Sequence, residues 1–156
     1  MDTVFASLVA VAGTLIGSFS TYLFQRRTTE RTEARAREER IRQERLAAYS
    51  GYAGAVTDLK RAKITLWFRR RLDPRDEERL LEALLESDRH GAAAETAAFR
   101  LRLVADDASL RPLMEAISAK LGEINRADDR QGLIAIERQF EEAVGAFLDA
   151  AAARLS

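Results

Sequence analysis

Hydrophobic and polar positions follow two different patterns along this chain. From Val4 to Phe24 the sequence VFASLVAVAGTLIGSFSTYLF runs for 21 residues without a charge. At ~1.5 Å rise per helical residue, such a run crosses a hydrocarbon core ~30 Å thick. From Leu46 onward the pattern changes to apolar positions three and four apart, the spacing of helices with one buried face. Leu46, Tyr49, Ala53, Val56, Leu59, Leu66 and Trp67 make the first such stripe. Leu80, Leu81, Leu84 and Leu85 begin the second, which resumes at Phe99, Leu101 and Leu103. Leu110, Leu113, Met114, Ile117, Leu121 and Ile124 make the third. Leu133, Ile136, Phe140, Val144, Phe147, Ala151 and Leu155 make the fourth. No run alternates with period two over a useful length, so strands are not expected.

Punctuation between the stripes is short. Asp73-Pro74-Arg75-Asp76 predicts a helix start, with Asp73 as N-cap and Pro74 in the first turn. Pro112 fits only near a helix start, so the third helix is expected to begin close to Ser109. Asn125 to Asp129 forms the last connection. Ser87 to Gly91 is a weaker spot where the second helix could kink, and Gly51 and Gly54 could bend the first. Short connections make neighbouring helices antiparallel.

Between the two zones lies a charged stretch, Gln25 to Arg45, with eight Arg, five Glu and one large aliphatic residue, Ile41. Glu33 with Arg37, and Glu38 with Arg42, stand four apart in the order that supports a helix. With no Gly or Pro to interrupt it, this stretch reads as a solvated stalk helix. The expected fold is therefore all-α. An N-terminal transmembrane helix (1–25) continues as a charged stalk helix (26–45) into a cytoplasmic antiparallel four-helix bundle (46–156).

The first segment has competing readings. A cleaved secretory signal needs a basic start, a shorter apolar core and a small-x-small cleavage site, and none of these is present. A buried core helix fits poorly with so long an uncharged run. Arg26, Arg27 and Arg31 directly follow the span, so the C-terminal side is expected in the cytoplasm and the N-terminus outside. Arg26 and Arg27 are also the candidates for lipid headgroup contact. Gly13 and Gly17 form GxxxG, and Ala6 and Ala10 extend the small-residue face. Such a face lets two spans approach closely, so a homo-oligomer through Ala6, Ala10, Gly13 and Gly17 is expected.

Composition narrows the function classes. The formal net charge of zero gives no footing for a general nucleic-acid surface. There is no Cys, so disulfides and thiol chemistry are excluded. Of the 25 basic residues all but Lys60, Lys63 and Lys120 are Arg, a bias typical of GC-rich bacterial genomes, which points to a bacterial inner membrane. His90 is the only histidine and has no second ligand in a metal-binding spacing. Neither GxxxxGK[ST] nor GxGxxG occurs. Glu77-Glu78, Asp106-Asp107, Asp128-Asp129 and Glu141-Glu142 sit at helix starts or on solvated faces. No enzyme activity, cofactor or metal is expected. One cluster suits a protein partner: Trp67-Phe68 followed by Arg69-Arg70-Arg71. Its competing reading is a helix end with core aromatics and a cationic cap matched to the helix dipole.

Three segments resemble those of the KilB-like actinobacterial small membrane proteins. They are Val11-Ala12-Gly13-Thr14-Leu15-Ile16-Gly17, Arg35-Ala36-Arg37-Glu38-Glu39-Arg40 and Leu101-Arg102-Leu103-Val104-Ala105-Asp106-Asp107. The chain carries Ala108 where that pattern would place proline. The resemblance implies a short span, a basic tail and Ala-rich helices, with plasmid spread in conjugation as the setting. One span and a charged helix also look like the stalk b-subunit of ATP synthase. That subunit is one long helix, whereas Pro74 and Pro112 break this chain. The expected role is a single-pass, membrane-anchored scaffold or accessory protein that assembles with itself and an unidentified protein partner. The alternative is a small membrane-lesion or toxin-type protein whose span oligomerises under control of the bundle.

Overall fold

The structure, a computed structural model, describes residues 2–105 and 107–155, with side chains described at 32, 33 and 35 onward. The side chains of the Val4 to Phe24 run lie outside the described residues. So do the small-residue face Ala6, Ala10, Gly13 and Gly17 and the headgroup candidates Arg26 and Arg27. Among the described residues no helix is long and apolar enough to cross a membrane. The chain divides into two compact units, Met1–Arg42 and Gln43–Ser156.

Four helices account for most of the described chain: α1 (Asp2–Leu72), α2 (Glu77–Ala105), α3 (Arg111–Ile124) and α4 (Arg130–Ala152). A 3₁₀ turn, Ala108–Leu110, leads into α3. In the first unit, the described side chains from Arg35 to Arg42 are exposed, as a charged solvated helix requires.

The second unit is an antiparallel bundle. Lys60 on α1 reaches Glu141 on α4, Nζ to Oε1 at 3.2 Å. Trp67 meets Ala127, while Tyr49 and Tyr52 meet Phe147. Residue numbers therefore rise on α1 as they fall on α4. The same reversal relates α1 to α2, where Thr65 borders Ala83 and Tyr52 borders Thr96. It relates α2 to α3, where Arg102 and Met114 share a small gap that Gly91 and Gly122, both on the larger cavity, do not line. α3 and α4 pack directly as a hairpin. Phe140, Phe147 and Leu133 of α4, Ile117 and Ile124 of α3, Leu66 of α1, Leu101 of α2 and Leu110 fill the centre.

The turns show how local chemistry sets the boundaries. The α2 cap is Asp76, whose carboxylate accepts from the Arg79 backbone N–H at 3.0 Å. This corrects the expectation that Asp73 caps and Pro74 begins the helix. Asp73 O instead accepts Asp76 N–H at 3.3 Å, which places Pro74 second in a β-turn. A fixed φ suits that position as well as it suits a first helical turn. Pro112 lies in the first turn of α3, and Asp129 caps α4 by accepting from Gly132 N–H at 2.7 Å. Helix α1 runs without interruption past Gly51 and Gly54, and α2 past Ser87 to Gly91.

Helix α2 departs most from expectation. Leu81, Leu84 and Leu85 are exposed, as are Phe99 and Leu103. The face turned inward carries Ala83, Ser87, Ala94 and Leu101. This inward face of small side chains leaves gaps against α1 and α3 that the bulkier leucines do not fill. Leu46 of α1 is likewise exposed, whereas Tyr52 and Ala62 are buried.

A Cβ added at Gly91 or at Gly122 would meet nothing within 4 Å. Both glycines lie inside helices, where Gly is ~0.8–1 kcal/mol worse than Ala. Gly91→Ala and Gly122→Ala are therefore each expected to stabilise the bundle by about that amount, as a higher melting temperature. A lower one in either variant would mean that its glycine is needed for close approach of another chain.

Candidate functional site

The aromatic and basic end of α1 forms a clasp on the connection between α3 and α4. Trp67 is buried and donates its Nε1–H to the Ala127 carbonyl at 2.9 Å. The Arg71 guanidinium donates to the same carbonyl at 2.6 Å and to the Asp128 carbonyl at 2.7 Å. It also lies 4.3 Å from the centre of the Trp67 ring, which adds cation–π attraction. Phe68 is half-buried and meets Trp67 edge to face at 5.0 Å. Three members of the sequence-derived docking cluster thus face inward or onto the chain's own loop. Arg69 and Arg70 remain exposed.

A second clasp closes the other end of the bundle. Asp107 accepts from the Ser109 backbone N–H at 2.9 Å and from Ser109 Oγ at 2.6 Å, and it pairs with the Arg154 guanidinium. Arg154 also donates to Ser109 Oγ and to the Ala150 carbonyl. The Ser109 hydroxyl, Arg154 and the Ser109 N–H together hold the Asp107 carboxyl down to about 2, from an ordinary 3.8. A depressed carboxyl stabilises the fold above its unfolded value and loses that contribution as pH falls through its folded value. Asp107→Asn should therefore lower the melting temperature near neutrality. The difference from the parent should shrink between about pH 4 and about pH 2. Equal melting of the two proteins at pH 7 would remove the clasp.

Between α1, α2 and α3 lies a cavity of about 610 Å³. It exists because facing positions carry Gly91, Ala94 and Ala98 on α2 and Ser118 and Gly122 on α3, too small to fill the gap. Val56 and Leu59 of α1 line it, with Lys63 and Arg102 among its charged groups. Burial pushes the Lys63 ammonium down; Asp88 opposes this and Arg70 adds to it. Burial raises the Tyr52 phenol, against a hydrogen bond with Ser118 and the charge of Arg102. The size falls within the range of ligand pockets. The arrangement offers apolar contact with charges of both signs beside it, Lys63 and Arg102 with Glu95 and Glu115.

His90 is half-buried on α2, its Nε2 3.0 Å from Glu86 Oε1, and Glu86 also pairs with Arg89. Among the described residues no group of three or more His, Cys, Asp and Glu stands together as a metal site would need. Sequence reasoning singled out Trp67 to Arg71 and placed Asp107 among the acids at helix starts or on solvated faces, where it caps the 3₁₀ turn, but gave no role to Arg154, Lys63 or Arg102. The usable signal for Lys63 was its rarity, as one of only three lysines. Arg154 carried no signal, since its partner lies 47 positions away.

The family model for the KilB plasmid transfer protein matches residues 46–155. No curated protein and no solved structure matches the chain.

Proposed function

The chain belongs to the KilB plasmid transfer protein family, and from that premise we propose that it is a membrane-anchored accessory protein of plasmid transfer. It acts through protein–protein assembly, with its bundle on the cytoplasmic side. The observation that carries the reading is where the match falls: it covers the bundle, from Leu46 to Leu155, and begins where the charged stretch Gln25 to Arg45 ends. Anchoring is supported by the uncharged run from Val4 to Phe24 and the Arg26, Arg27 and Arg31 that follow it. Assembly is supported by the apolar side chains exposed on α2.

The test is a conjugation assay. Deleting the coding region from a transferable plasmid should lower transfer, and the full chain supplied in the donor should restore it. Residues 46–156 alone should not restore it, because they lack the anchor. Rescue by the bundle alone would remove anchoring from the role, and unchanged transfer on deletion would remove the role itself. A phosphatase fused to the C-terminus should be inactive, and an active one would reverse the orientation. Dye leakage on expression would favour a membrane-lesion protein.

A further inference from the structure

The geometry points to the cavity between α1, α2 and α3 as a binding site for a single alkyl chain ending in an anionic group, its head on Lys63 and its tail running toward Tyr52. Helix α1 presents Tyr52, Val56, Leu59 and Lys63 to this cavity, spaced four, three and four residues apart. Such spacing keeps them on one helix face, so the floor is apolar along its length and ends in a cation. The facing walls carry Gly91, Ala94 and Ala98 on α2 and Ser118 and Gly122 on α3, which leaves about 610 Å³ open beside that floor. The inference concerns the bundle alone and does not rest on a role in plasmid transfer.

Charge sets the polarity of the ligand. Of the three lysines, Lys60 pairs with Glu141 at 3.2 Å and Lys120 with Glu123 at 3.0 Å. Lys63 is half-buried, and among the described residues its ammonium forms no ion pair; Asp88 attracts it only through space. Burial thus takes hydration from this cation that no partner returns, and a ligand anion supplies the missing contact. The lining also holds Arg102, Glu95 and Glu115. Arg102 and Ser118 both act on Tyr52, so Arg102 and Glu115, three residues before Ser118, stand at the Tyr52 end. Helix α2 runs from Asp88 at the Lys63 end to Arg102 at the Tyr52 end, which puts Glu95 midway. Among the lining charges Lys63 therefore stands alone at its end, whereas Arg102 shares its end with a carboxylate. Tyr52 and Lys63 are eleven residues apart, about 16 Å of helix. An extended chain advances about 1.2 Å per bond, so about a dozen carbons span that length.

Equilibrium dialysis of radiolabelled dodecanoate against the full chain in phosphatidylcholine vesicles tests the site, with protein-free vesicles subtracted. Saturable binding of one dodecanoate per chain is expected. Affinity for the free acid should rise about two- to fourfold per added methylene from octanoate to dodecanoate, for half to full burial of each, and level off beyond. Lys63→Gln should weaken dodecanoate about tenfold and leave dodecanol within about twofold, because only the charged contact is lost. Arg102→Gln should change dodecanoate by less than about twofold. Gly91→Leu with Gly122→Leu should weaken both ligands, because the new side chains enter open space on the two walls. Leu is a better helix former than Gly, so melting of that variant should not fall. Four results would each overturn the inference: no saturable binding, equal losses of dodecanoate and dodecanol in Lys63→Gln, a tenfold loss in Arg102→Gln, or full binding in the double-leucine variant. Adding phosphatidylglycerol to the vesicles separates two sources of the chain. A site still open to dodecanoate takes a free acid, and a site closed to it holds the acyl chain of an anionic bilayer lipid.

Discussion

Phe147→Asp is expected to abolish cooperative melting of the bundle. The Phe147 ring is fully buried, 5.1 Å from the Tyr52 ring and 6.4 Å from the Tyr49 ring, both edge to face. Losing a buried Phe costs about 3–5 kcal/mol in packing. The aspartate then faces a choice between a buried unpaired carboxylate and a carboxyl forced to stay protonated, each costing further free energy. Against a total stability of about 5–15 kcal/mol, these losses leave little or nothing. The same change at Phe140 is the weaker test. The Lys60 ammonium lies 5.4 Å from that ring and offers an incoming carboxylate a partner. Far-UV circular dichroism against temperature reads the outcome. A Phe147→Asp protein that melts like its parent would take α4 out of the core. Phe147→Leu, which keeps the site apolar, should retain a cooperative transition at lower temperature.

The third and fourth stripes were legible because most large apolar residues fall on one face, with Ile134 and Leu148 of α4 as exposed exceptions. Met114, Ile117, Leu121 and Ile124 on α3, and Leu133, Phe140, Phe147 and Ala151 on α4, are buried as their spacing implies. Helix α2 was misread because it carries two candidate faces, one bulky and one small. Spacing cannot rank the two faces; only the partner helices do that. Capping at Asp76 was hidden by Pro74, which suits a β-turn and a helix start equally. The Asp107–Arg154 clasp and the Trp67 acceptor at Ala127 join residues 47 and 60 positions apart, so no local motif could announce them. The cavity was illegible for a related reason. Ala94 and Ala98 read as good helix content and Gly91 as a weak spot, and they become a gap only once α3 presents Ser118 and Gly122 opposite.

Trp67→Ala is expected to have the second-largest effect, and it decides between the two readings of the aromatic and basic cluster. The structure gives Trp67 three tasks: filling the end of the core, donating to the Ala127 carbonyl, and carrying the Arg71 guanidinium on its face. Truncating a buried Trp costs about 3–5 kcal/mol. Trp67→Phe keeps most of the volume and loses the N–H, so about 1 kcal/mol should disappear. Because Arg71 donates to the same carbonyl, removing it in the Trp67→Phe background should cost more than in the parent. The carbonyl then loses its last side-chain donor. A double-mutant cycle on melting measures that coupling, and a coupling of zero would mean the two donors act independently. If Trp67 served a protein partner instead, Trp67→Ala would melt like the parent and lower plasmid transfer alone. Arg69 and Arg70 give the converse control. Both are exposed and bond to neither carbonyl of the clasp, so Arg69→Gln with Arg70→Gln should lower melting only by the lost attraction to the helix dipole, about 1 kcal/mol in all. A loss of transfer in that variant would then assign the exposed half of the cluster to a partner, and its buried half to the fold.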